Sequence, residues 1–81
     1  IESRLNTQGL KLLELKRFED AIKVLTLNTQ LFPKSWNTWD SLAEAYMNNG
    51  NKELAIKYYE KTLAMDPGNS NAVEQLKKLR Q

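Results

Sequence analysis

Asn37, Asp40, Ser41, Glu44, Met47 and Asn48 recur at the three- and four-residue intervals that place side chains on one helix face. Carboxylates, amides, a hydroxyl and a thioether along one stripe can accept hydrogen bonds from N–H donors and attract Lys or Arg. That is the chemistry of recognition. Turnover needs more: the chain has no histidine and no cysteine, so the usual general base, the thiolate nucleophile and the usual zinc or copper ligands are missing. Two carboxylates acting as acid and base need a concave, desolvated site that drives their pKa values apart, which scattered helix-surface acids seldom build. Asp66-Pro67-Gly68-Asn69 offers a single acid where a calcium loop needs several at alternating positions. Gly9, Gly50 and Gly68 stand singly, so no phosphate loop forms. The expectation is a non-enzyme with no catalytic residue, no metal and no cofactor.

A stripe needs helices to carry it. The chain has 81 residues, 27% of them charged and 41% hydrophobic, enough for one small core. No apolar run approaches the length of a membrane span or signal-peptide core, so no membrane partner is expected. The chain begins at Ile1, as a processed chain or a piece of a longer protein would. Apolar spacing predicts five helices, over about 3–15, 18–31, 36–48, 52–65 and 70–80, and no strand. Pro33 and Pro67 stop the second and fourth, and Ser35 and Asn69 or Ser70 are candidate N-caps. Asn49-Gly50 should end the third helix with positive φ.

The helix pairs repeat. "EDAIK" at Glu19 to Lys23 returns as "ELAIK" at Glu53 to Lys57, one helix pair further along the chain. Trp39, Leu42, Ala43, Tyr46, Ala55, Tyr59 and Pro67 stand at the spacing of the tetratricopeptide repeat signature, and the second unit resembles that family closely. Leu5, Gln8, Gly9, Leu12, Ala21, Leu25 and Pro33 hold the matching places in the first unit, where Leu5 and Gln8 depart from the pattern. The resemblance implies an all-α solenoid of two repeats, 2–35 and 36–69, with a capping helix over 70–81. Gly9 with Ala21, and Ala43 with Ala55, are small where paired helices would approach closely. Trp39, Tyr46 and Tyr59 are expected to be buried with Ala55.

In this family stacked repeats line a concave groove that holds peptides, so the resemblance implies a protein-binding module. The expected groove residues are Asn6, Leu10, Leu13 and Glu14 in the first helix, with Ser3 and Thr7 beside them; Asn37, Asp40, Ser41, Glu44, Met47 and Asn48 in the third; and Glu74 and Lys78 in the fifth. Glu14, Asp40, Glu44 and Glu74 stand against Lys78 alone, although the whole chain is +2. A basic or aliphatic peptide is the expected partner. The positions of the Lys-Asn-Arg clamp by which some members bind acidic C-termini correspond to Asn6, Leu10, Ser41, Asn71 and Gln75, so no clamp is present.

Three other readings follow from the residues. Leu27, Phe32 and Trp36 are apolar where repeats usually carry polar or small residues, and predict a hydrophobic strip. The stretch from Phe32 to Pro67 resembles the C-terminal repeat pair of some bacterial β-lactamase-like serine hydrolases and esterases, and the strip would then dock the repeats onto an upstream catalytic domain. Leu5, Leu10 and Leu13 offer an end surface that a second copy could cover, giving a homo-oligomer. The basic pI of 9.0 raises nucleic-acid binding, but Glu19, Asp20, Glu53 and Glu60 interrupt the series Lys16, Arg17, Lys23, Lys52, Lys57 and Lys61, so none is expected.

Overall fold

Apolar residues at helical spacing, interrupted by Pro33, Gly50 and Pro67, fold as five α-helices. The computed structural model describes residues 2–81, with side chains from Arg4 onward. The helices are α1 (Glu2–Glu14), α2 (Phe18–Leu31), α3 (Trp36–Asn48), α4 (Lys52–Met65) and α5 (Ser70–Leu79), and no strand occurs among the described residues. The fold is all-α, as the periodicity and the resemblance predict. Each pair, α1 with α2 and α3 with α4, packs as a hairpin; α2 also packs on α3, and α5 on α4.

Local chemistry sets the ends. Asn51 caps α4, its side chain accepting from Leu54 N at 3.2 Å. Asn69 caps α5 in the same way, accepting from Ala72 N at 2.9 Å. Ser35 stands at the N-cap of α3 without a capping bond; Thr38 Oγ1 instead donates to the Ser35 carbonyl at 2.8 Å. Asn49 has φ −83°, so the positive φ expected for Asn49-Gly50 falls on Gly50 alone, at 84°. Lys16, at the matching place in the α1–α2 hairpin, has φ 61°, so the two hairpins turn alike although only one uses glycine.

Two clusters form the core. Leu25, Leu42 and Ala45 are buried together, with Leu13, Ile22, Tyr46 and Tyr58 against them. Ala43, Tyr59, Ala72 and Leu76 form the second, with Met47, Ile56 and Leu79 around it. The expected quartet divides: Ala55 and Tyr59 are buried, whereas Trp39 and Tyr46 are half-buried. Trp39 stacks on Tyr58 with centroids 5.7 Å apart, and Tyr58 on Tyr46 at 5.6 Å. The indole explains its own position, because Trp39 Nε1–H donates to the Pro33 carbonyl at 2.9 Å, and that polar edge stays at the surface.

Gly9 is needed for close approach. A Cβ there would meet the Leu25 isobutyl group far inside van der Waals contact, and Leu25 is fully buried with no room to withdraw. Gly9→Ala should therefore destabilise by about 1 to 3 kcal/mol as overpacking, although alanine is intrinsically the better helix former. A urea melt checks the sign; a gain in stability would mean that α1 and α2 are not in contact there.

Candidate peptide-binding groove

α3 carries the centre of the predicted stripe because its opposite face is spent on packing: Leu42 and Ala45 face α2, and Ala43 faces Tyr59. What remains is Asn37, Asp40, Glu44 and Met47, all half-buried, and exposed Asn48. α1 packs beside α3 and contributes half-buried Asn6 and Leu10 with exposed Glu14. Asn71 of α5 lies close enough to Asp40 to lower its carboxyl, which brings α5 to the same face. Glu74 and Lys78 are exposed on α5.

Some expected residues are occupied elsewhere. Ser41 is 4% exposed and lies in the packed interior. Leu13 packs against the Leu25–Leu42 cluster and Met47 against the Tyr59 cluster, so both serve the core. Asn48 Nδ2 donates to the Glu44 carbonyl of its own helix at 2.8 Å. The side chain of Ser3 lies outside the described residues.

The electrostatics are unusual for surface acids. Burial pushes the Asp40 carboxyl above the usual carboxylate range, and the Asn71 amide only partly offsets this. Burial also raises Glu44, helped by the nearby Asp40 charge. Tyr59 is raised by desolvation and then by the Asp40 and Glu44 charges, so a phenol beneath the groove stays protonated. Asp40 Oδ1 and Asn6 Oδ1 are both buried with no hydrogen-bond partner among the described residues. Asn6 and Asp40 hold matching positions in the α1–α2 and α3–α4 hairpins, so each hairpin leaves an acceptor unmet at that place. The sequence placed these residues on the stripe, but the unmet acceptors depend on packing depth that spacing does not reveal.

A raised carboxyl means the native state holds its proton more tightly than the unfolded chain. Stability from this source therefore grows as pH falls from the raised pKa to the ordinary carboxylate range and is absent above the raised pKa. Asp40→Asn should stabilise the chain at pH 7, by up to about 1 kcal/mol. It should also reduce the gain that wild type shows on moving from pH 7 toward the ordinary carboxylate range. Urea midpoints at pH 7 and 5 would show this, and a destabilised variant at pH 7 would contradict the desolvation.

Tyr58 is the residue that spacing missed. It links Trp39 to Tyr46, with the Lys57 ammonium 5.5 Å from its ring centre and Lys61 5.3 Å from that of Trp39. Adjacent Tyr58 and Tyr59 point about 100° apart on a helix, so Tyr59 is buried in one cluster while half-buried Tyr58 packs against both. The predicted strip is at the surface, with Leu27 45% and Trp36 40% exposed and Phe32 half-buried.

Residues 36–69 match the model of the tetratricopeptide repeat family. The chain is similar to Superkiller complex protein 3 of Homo sapiens, 32% identical over 60 residues, which is 74% of this chain and 4% of that protein.

Proposed function

We propose that α1, α3 and α5 bind a partner segment carrying Lys or Arg beside aliphatic side chains; residues 36–69 match the tetratricopeptide repeat family, whose repeats generally mediate protein–protein interaction. The observation that carries this reading is the row of half-buried polar residues on one face, Asn6 of α1 with Asn37, Asp40 and Glu44 of α3, where the two acids are close enough that Asp40 raises Glu44. Half-buried carboxylates have lost part of their hydration, and a ligand's ammonium or guanidinium groups would supply charge-assisted hydrogen bonds in its place. Asp40 and Glu44 add negative charge for Lys or Arg, and half-buried Leu10 adds apolar contact. The family is typically non-catalytic, and the lack of His and Cys supports a segment that binds without turnover. Neither nucleic acid nor a membrane is its partner on this reading; among the described residues, no helix is long and apolar enough to cross a membrane.

Fluorescence anisotropy with labelled peptide pools tests the specificity. Basic-aliphatic peptides should bind with micromolar or weaker constants, no better than about −8 kcal/mol, because two repeats offer little area. Salt should slow association, and acidification should abolish binding at a higher pH than ordinary carboxylates would, since Asp40 and Glu44 titrate early. Selection of acidic C-termini would overturn the proposal.

A second reading rests on the exposed Leu27, Leu31 and Trp36, which are 45%, 56% and 40% accessible. Such a strip suits docking against a neighbouring domain, including an attached hydrolase, or against another copy.

A further inference from the structure

A surface pocket of about 480 Å³ is lined by Trp39 of α3 and by Lys57, Tyr58, Glu60 and Lys61 of α4. Its floor is aromatic, since Trp39 stacks on Tyr58 with centroids 5.7 Å apart. Its open side is basic, with the Lys61 ammonium 5.3 Å from the Trp39 ring centre and Lys57 5.5 Å from that of Tyr58. Neither lysine forms an ion pair among the described residues, and Glu60, the acid in the pocket, is taken by Arg80. Two half-buried rings are thus met by ammonium groups that lack a counter-ion. The matching places in the α1–α2 hairpin are held by Leu5, Lys23, Val24, Thr26 and Leu27, with no ring and one cation. The walls come from residues 39–61, in the middle of the chain, so neither end of the sequence opens the pocket.

We propose that this pocket takes a short extended segment of a partner protein in which an aromatic residue stands between two acids. The charge calls for carboxylates, because two ammonium groups flank the pocket and no acid beside them is free to answer. The spacing calls for alternate residues: Lys57 and Lys61 lie about 6 Å apart along α4, and alternate residues of an extended chain lie about 6.6 Å apart. A ring between the acids points the other way, onto the Tyr58–Trp39 stack, as each ammonium swings out to its carboxylate. Glu53, one turn before Lys57, would repel a third acid, which disfavours the continuous phosphates of a nucleic acid. These 81 residues hold no two acids on alternate positions, and Asp40 and Glu44, the one acidic pair a helical turn apart, are half-buried in the groove. Neither the chain nor a second copy of it therefore supplies the segment. The pocket shares no residue with the groove of α1, α3 and α5, so either reading can fail alone.

The probe is a blocked peptide, acetyl-Gly-Asp-Phe-Asp-Gly-amide, titrated into the ¹⁵N-labelled chain beside its Asn-Phe-Asn and Asp-Ala-Asp counterparts. Saturable shifts are expected at the Trp39 indole N–H, Lys57, Tyr58 and Lys61, and both counterparts should bind more weakly. Lys57→Glu with Lys61→Glu should weaken binding by about tenfold or more, while Lys77→Glu on exposed α5 surface should leave it unchanged. The proposal fails if no saturable shift appears at about 1 mM peptide, if the Asn-Phe-Asn peptide binds equally well, or if the paired lysine changes have no effect. It also fails if the shifts fall on Asn6, Asp40 and Glu44 or on Leu27 and Trp36, if a single-stranded oligonucleotide binds the same residues more tightly, or if sedimentation shows copies of the chain covering this face.

Discussion

Tyr59→Ala should unfold most of the chain at 37 °C. Tyr59 is 1% exposed, and Ala43, Ala72 and Leu76 pack with it, so one ring joins α3, α4 and α5. Truncating a core aromatic costs about 3 to 5 kcal/mol, because the transfer free energy is lost and a cavity remains. Three of its neighbours are alanines or lie at helix ends, so little can collapse into the gap. At about 0.05 to 0.15 kcal/mol per residue, so small a domain has little stability beyond that loss. Trp39→Ala makes the comparison. Trp39 is half-buried and keeps its indole edge at the surface, so its loss should cost clearly less. Urea melts of both variants with equal m-values would order them, and the reverse order would mean that Trp39, not Tyr59, holds the core.

The largest expected effect on binding comes from Asp40→Lys with Glu44→Lys. Each reversal removes an attraction for a basic ligand and adds a repulsion, and the two acids are close enough that Asp40 raises Glu44. About tenfold per substitution, or roughly a hundredfold together, is expected for a basic-aliphatic peptide. Lys57→Glu on α4, whose ammonium lies over Tyr58, should leave affinity unchanged. Asp40→Asn gives a sharper contrast, since it should weaken binding while raising stability at neutral pH. A residue kept at a cost to stability is what a binding role requires, and an idle solvated charge would show neither effect. If Lys57→Glu were the damaging change, the groove would be misplaced and the Leu27–Trp36 strip would become the leading interface.

How far the sequence reaches can be argued from particular residues. The five helices were legible because Pro33, Pro67 and Gly50 interrupt a clear helical pattern, and predicted bounds differ from observed ones by a residue or so at α1 and α5. The close approach at Gly9 was legible from the family spacing. Trp39 was assigned to the core because a large aromatic at that place is usually interior, but the nearby Pro33 carbonyl holds its N–H at the surface. The positive φ of Lys16 was invisible, since lysine seldom adopts it and only the matching Gly50 hints at it. On the groove, spacing put Ser41 and Leu13 on the stripe, yet a stripe's edge turns inward where a neighbouring helix packs. The desolvation of Asp40 depends on packing depth, which no local pattern encodes.

The most direct test of the account is a chemical-shift map of the ¹⁵N-labelled chain titrated with a peptide alternating lysine and leucine. Saturable shifts should concentrate at Asn6, Leu10, Asp40, Glu44 and Asn71, with the side-chain amide of Asn71 among the largest because it shares Asp40 with the ligand. Shifts confined to Leu27, Phe32 and Trp36, or none along α1, α3 and α5, would contradict it.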